Sequence, residues 1–202
     1  MNNYLIIFIL FVVLLYFFVF KNKIECFNCK KPIYQPKVWN RNEDNIRKYN
    51  NCYSYAMKDL RLNRNKKPQP GELCGRKKIK SNNYTCDKLF DNVQCDYPDL
   101  YRVEKNVECP CDYYRVALVL DNEGKKRDYH WYRKDNNGLY SHKPGGNKAT
   151  NLDASKKTIL DPEIANRKYK KYNYNTFCGY ACKKFIHNEH TDKNTINNNN
   201  KD

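Results

Sequence analysis

The sequence is short of acid, of histidine and of anything repetitive. Aspartate and glutamate number 22 against 38 lysines and arginines, which leaves a formal net charge of +16 and a pI near 9.3. Such a balance predicts attraction to anionic partners: nucleic acid, an acidic membrane surface or an acidic polymer such as a cell wall. The excess reads first as a solvated surface, because the lysines are scattered along the chain rather than gathered in one stripe. No nucleic-acid motif with readable spacing is present, so no specific nucleic acid is expected as a partner. No internal repeat is present, which excludes a solenoid or propeller. Only four histidines occur. A second Cys-x-x-Cys is also missing, so Cys26-x-x-Cys29 is at most half of a zinc site. A local disulfide is the preferred reading there, and neither metal nor another cofactor is expected.

What is present bounds the chain to one domain with a core, plus an N-terminal apolar segment. Residues 4–20 form an unbroken apolar run, YLIIFILFVVLLYFFVF. At about 1.5 Å per residue it nearly spans a bilayer core. No basic region precedes it and no small-residue cleavage site follows it, which favours a single transmembrane anchor over 1–21 against a cleaved signal. The side of the membrane stays unresolved. Lys21, Lys23, Lys30 and Lys31 place the domain inside. Ten cysteines and the sequon Asn83-Tyr84-Thr85 point to an oxidising compartment. Heavy use of Asn, Lys, Tyr and Ile suggests an AT-rich genome.

After a linker over 22–47, a domain is expected over 48–186. Asn50 to Arg61 reads as a helix, with Asn50 or Asn51 as N-cap and Tyr53, Ala56, Met57 and Leu60 on one apolar face. Lys66 to Leu73, with two prolines and a glycine, breaks it. Cys74 to Cys111 reads as an irregular insertion stapled by disulfides. Tyr113 to Leu120 is the best buried-strand candidate, and Tyr174 to Ile186 a closing strand. Asp128 to Gly146, DYHWYRKDNNGLYSHKPGG, reads as a β-hairpin turning at Asp135-Asn136-Asn137-Gly138. Residues 187–202 are polar and Asn-rich, and a disordered tail is expected. Its His187 and His190 read as solvated.

One constellation carries chemistry. A thiol becomes nucleophilic as thiolate, which a helix N-terminus and a neighbouring imidazole favour. A third group must hold that imidazole in one tautomer. Cys52 at a helix start, His130 on one hairpin arm and His142 on the other fit those roles. On spacing alone, Cys52 as one more disulfide partner among ten cysteines is the favoured reading. Register provides a condition. A two-residue Asn137-Gly138 loop puts the histidines on opposite faces, whereas an odd-length loop or a bulge puts both on one face.

The order Asn51-Cys52-Tyr53-Ser54, then Pro70-Gly71-Glu72-Leu73, then His130, then His142 resembles the NlpC/P60 group of papain-like cysteine peptidases. The twelve-residue step between the histidines matches that group's step from catalytic His to orienting residue. The resemblance implies an α+β, papain-like fold: a helix packed on an antiparallel sheet, here preceded by one transmembrane helix. It also implies a membrane-anchored thiol hydrolase acting on a peptide, peptidoglycan or lipid acyl bond, with an anionic or peptide-like substrate. Cys52 would be nucleophile, His130 general base and acid, and His142 the orienter. Departures are Asn51 in place of the usual Asp, the bulky Tyr53, the long gap from Cys52 to His130, and Trp131-Tyr132-Arg133 where a glycine-bearing strand is usual. The stretch Asp128 to Gly146 also resembles uncharacterised proteins of phages and large DNA viruses. The other expectation is a non-catalytic, disulfide-stapled viral membrane or virion protein of the same fold.

Overall fold

In the computed structural model, residues 3–27, 29–123 and 127–186 are described; for residue 3 and residues 17–27 this covers the backbone only. The predicted tail, with His187 and His190, lies outside the described residues.

The domain is built on a five-stranded antiparallel sheet. Its strands are β1 (Tyr101–Val103), β2 (Tyr113–Asp121), β3 (Asp128–Lys134), β4 (Tyr140–His142) and β5 (Thr176–Lys184), in the order β1-β5-β2-β3-β4. The central strand β2, YYRVALVLD, is apolar on both sides because both faces of the sheet are covered. On one face, Tyr114, Val116, Leu118, Leu120, Tyr129 and Trp131 pack against α4 (Cys52–Ala56) and α5 (Cys86–Asp96). On the other, Ala117, Val119, Tyr132, Tyr140 and Tyr180 pack against Ile159 and Tyr174 from the long irregular segment before β5. The alternation of β3 divides its side chains between these faces.

The expected papain-like architecture with a preceding transmembrane helix is corrected by this structure. The helices on the sheet are few and short. The helix predicted across Asn50 to Arg61 is only α4, five residues long. Lys58 adopts a left-handed conformation (φ 54°), and the Asp59 N–H donates back to the Ser54 carbonyl at 2.9 Å, which closes the helix after one turn. The apolar run lies in α1 (Asn3–Phe27), whose side chains over residues 4–16 are exposed. Among the described residues, no helix is long and apolar enough to cross a membrane.

The range read as a linker contributes α2 (Pro36–Trp39) and leads into α3 (Ile46–Tyr49). Trp39 is buried edge-on against Tyr55 at 4.9 Å, and Ile46 is fully buried. The insertion contains α5, which Thr85 caps by accepting a hydrogen bond from the Lys88 N–H. Leu89, Phe90 and Val93 form its buried face, each worth about 1.5–3 kcal/mol of burial. Phe90 meets Trp131 edge-to-face at 5.4 Å.

Among the described residues four disulfides join these parts: Cys29–Cys111, Cys74–Cys95, Cys86–Cys178 and Cys109–Cys182. Cys29 therefore pairs 82 residues away, and the expected local bridge to Cys26 is replaced by one that ties the N-terminal segment to the start of β2. A β-bulge between Leu118 and Val119 pairs Leu118 with Gly179 and Val119 with Phe177. The bulge leaves Cys178 on the helix-covered face, where α5 supplies Cys86. Gly179, at φ +115°, permits it.

Candidate functional site

The two hairpin histidines meet. β4 pairs with β3 as Tyr132↔His142, Arg133↔Ser141 and Lys134↔Tyr140, so the loop is the five residues from 135 to 139. Its odd length places His130 and His142 on the same face, as diagonal rather than direct partners. Gly138 (φ +82°) and the Asp135 N–H, bonded to the Leu139 carbonyl at 2.9 Å, close the turn.

His130 Nε2 lies 2.7 Å from His142 Nδ1, and His142 Nε2 lies 2.9 Å from the Leu152 carbonyl oxygen. A carbonyl only accepts, so the His142 proton sits on Nε2 and its Nδ1 accepts from His130. One tautomer is thereby set for each ring. Around them stand Tyr132, Tyr174 and Tyr169, with ring centroids 5.0, 5.2 and 6.3 Å from one or other imidazole. Both histidines are almost wholly buried. Burial, followed by the charge of His142, holds the His130 pKa well below its ordinary value. Burial lowers that of His142 to about 4, with the Leu152 carbonyl and Asp153 acting in the opposite direction.

Cys52 is the free thiol of the domain among the described residues. The backbone before it is held tightly. Asn51 caps α4 by accepting from the Ser54 N–H at 3.2 Å and donates to the Pro68 carbonyl at 2.8 Å. Asn50 bonds the Ile46 and Arg61 carbonyls. The thiol packs into the helix-side core, and its hydrogen-bond acceptor is the Tyr129 carbonyl at 3.9 Å. Among the described residues no hydrogen bond joins it to either imidazole. Burial, then the charge of Asp128, pushes its pKa up to about 12. The structure therefore brings His130 and His142 together and leaves Cys52 bonded to the backbone of the same strand.

A second polar cluster, unread in the sequence, sits behind the hairpin. Arg133, on β3, is fully buried. It grips Asp135 through Nε at 2.9 Å and Nη2 at 2.8 Å. It also donates to the Tyr55 and Ile33 carbonyls and lies over the Tyr55 ring. Tyr55 Oη and Ser141 Oγ are 2.6 Å apart, and Ser141 donates to the other Asp135 oxygen. Lys143 is likewise buried, its ammonium donating to the Arg47, Asn50 and Gly145 carbonyls at 2.5–2.9 Å. The only available signal was the alternation itself, which puts Arg133 on the inward face with Tyr129 and Trp131. No group of acids, histidines and cysteines able to hold a metal is found among the described residues.

No family model matches the chain, and no solved structure matches it. It is 35% identical over 134 residues to insoluble matrix shell protein 1 of Ruditapes philippinarum, which covers 66% of this chain and 80% of the relative. The chain belongs to the family of that shell matrix protein. The expected membrane-anchored thiol hydrolase is overturned by this relationship, because the relative is named for an insoluble matrix and not for a catalytic activity. The transmembrane and NlpC/P60 hydrolase descriptions are corrected with it. In this chain the His130–His142 pair and Cys52 are buried.

Proposed function

We propose that this chain is a non-catalytic, disulfide-stapled structural component of an extracellular assembly. The observation that carries the reading is the 35% identity to insoluble matrix shell protein 1 across 80% of that protein. Four disulfides support it, since such bridges persist in oxidising surroundings and are rare in the cytosol. Three of them close separations of 73 to 92 residues, so they restrain the whole domain rather than one loop. The chemistry at Cys52 supports it too. A thiol held protonated by burial is a packing element and not a nucleophile.

The test is expression in a secreting eukaryotic host, followed by fractionation and a mass-spectrometric disulfide map. Recovery outside the cell is expected, in the medium or the insoluble pericellular fraction, with the eight bridge cysteines paired. Purified protein is expected to turn over ester and peptide substrates no faster than a Cys52→Ala variant. Recovery in the cytosol with those cysteines as free thiols, or Cys52-dependent turnover, would overturn the reading.

A further inference from the structure

The lysines that look scattered in the sequence are gathered by the fold. Arg64 to Lys80, RNKKPQPGELCGRKKIK, holds seven cations and one acid. Its two ends come together around a cleft of about 500 Å³ lined by Tyr49, Gln69, Pro70, Glu72 and the cations Lys66, Lys67, Arg76 and Lys78. All four cations are exposed. The lone acid pairs with one of the four at most. Glu72 is engaged by Arg64 at 2.5 Å and by the Gln69 N–H at 3.1 Å, with Lys66 more distant at 3.8 Å. Among the described residues the side-chain partner of Arg76 is neutral, the Asn92 amide oxygen at 2.9 Å.

The backbone between the two groups of cations is tied down by the fold. Cys74–Cys95 ties it to α5. Asp96 accepts from the Gly71 and Cys74 N–H groups at 2.7 and 3.0 Å, and Asn92 donates to the Pro70 carbonyl at 3.1 Å. Gly71 has no room for a side chain, since a Cβ there would fall 2.8 Å from the Asn92 amide nitrogen. On the inner side, Asn51 holds the Pro68 carbonyl and Tyr129 Oη donates to the Gln69 side chain at 3.3 Å. Preorganised cations around an open cleft focus potential on an anionic ligand at little ordering cost.

We infer that this cleft binds an anionic polysaccharide, its sulfate or carboxylate groups held by Lys66, Lys67, Arg76 and Lys78. Tyr49 and Gln69 line the same cleft and add uncharged surface beside the cations. An acidic polypeptide fits less well. Extended peptides are captured by main-chain pairing to a sheet edge or by apolar pockets, and none of the lining residues belongs to a strand. This inference rests on the structural role proposed above and gives it a partner.

The test uses the full chain with fluorescently labelled dextran sulfate, alginate and neutral dextran, read by anisotropy across a NaCl series. Binding to dextran sulfate or alginate but not to dextran is expected; which of the two binds more tightly tells sulfate from carboxylate recognition. A variant carrying Lys66→Gln, Lys67→Gln, Arg76→Gln and Lys78→Gln is expected to lose at least tenfold in affinity. Its slope of log affinity on log salt should fall by about 3, roughly 0.7 for each of the four charges removed. A control with Lys157→Gln, Lys168→Gln, Lys170→Gln and Lys171→Gln should stay within threefold of wild type. Equal losses in the two variants, or retained affinity in the first, would overturn the site and leave only diffuse charge. Tighter binding of polyglutamate with the same four-residue dependence would overturn the polysaccharide in favour of an acidic polypeptide. Because the disulfide map and fractionation read the structural role without any ligand, the two conclusions fail separately.

Discussion

Acidification should unfold this domain through its two buried histidines. Free imidazole titrates near 6.5, whereas His142 is lowered to about 4 and His130 lies well below its ordinary value. Below pH 6.5 the unfolded chain therefore binds two protons that the native fold refuses. Stability from this source is fully present above pH 6.5 and is lost as pH falls. Each refused proton costs about 1.4 kcal/mol per pH unit, so the pair contributes a slope near 2.7 kcal/mol per unit and about 4 kcal/mol between pH 6.5 and 5. Against a total stability of roughly 5–15 kcal/mol that loss is large. Asp128 and Asp135 act oppositely, because burial raises their pKa and they bind protons in the native state as pH falls. The assay is urea unfolding followed by tryptophan fluorescence at half-unit steps from pH 7 to 4.5. A His130→Gln/His142→Gln variant gives the reference, since the carboxylates are common to both proteins. Its slope between pH 6.5 and 5 should be shallower than that of wild type by about 2.7 kcal/mol per unit. Identical slopes would refute the reasoning and show that the imidazoles take up protons in the native fold.

Three further outcomes follow from the packing. Replacing Cys86 and Cys178 together by Ala opens a 92-residue separation and should lower unfolding free energy by about 4 kcal/mol in urea titration; a loss below 1 kcal/mol would show that α5 needs no staple. Arg133→Met leaves Asp135 buried without its cation, and a loss of about 3–5 kcal/mol is expected by thermal or urea melting, far more than for an exposed Lys157→Met. Cys52 should react with a maleimide probe at the rate of global unfolding and not faster, so labelling under native conditions should slow in step with added stability; fast labelling of the native protein would contradict its burial.

The sheet was legible where one rule acted alone. Tyr113 to Leu120 reads as a buried strand because β-branched, aromatic and aliphatic residues run without interruption, and β2 occupies Tyr113–Asp121. An odd-length loop was one condition for the two histidines to share a face, and the register meets it with the five residues from 135 to 139. Legibility failed where two signals competed. The Cys74 to Cys111 stretch reads as irregular because cysteines and polar residues dominate it, yet Leu89, Phe90 and Val93 at helical spacing behind the Thr85 cap form α5. Arg133 and Asp135 look like solvated hairpin residues, but mutual neutralisation and Tyr55 allow both to be buried. Cysteine pairing was beyond the sequence in principle, since the bulge at Gly179 decides which face Cys178 occupies. The cleft cations escaped notice because Lys66–Lys67 and Arg76–Lys78 are separated along the chain by the Pro-Gly turn that folds them together.

The order of Cys52, His130 and His142 was legible, and what it means depends on burial rather than on order. A thiol–imidazole couple works when proton transfer from sulfur to ring is nearly balanced. Here burial pushes the thiol up to about 12 and holds the His130 ring well below its ordinary value, so proton transfer from sulfur to ring is disfavoured. The same burial that forbids ionisation stabilises the neutral groups. His130 donates to His142, His142 donates to Leu152, and Cys52 donates to Tyr129, so each of these three groups has an acceptor for its proton. These bonds fasten β3 to β4, β4 to the segment beyond it, and α4 to β3. Opening the junction to solvent would relieve the pKa shifts but would break those three fastenings. In a domain that rests on packing and its disulfides, these buried, neutral contacts hold the junction closed.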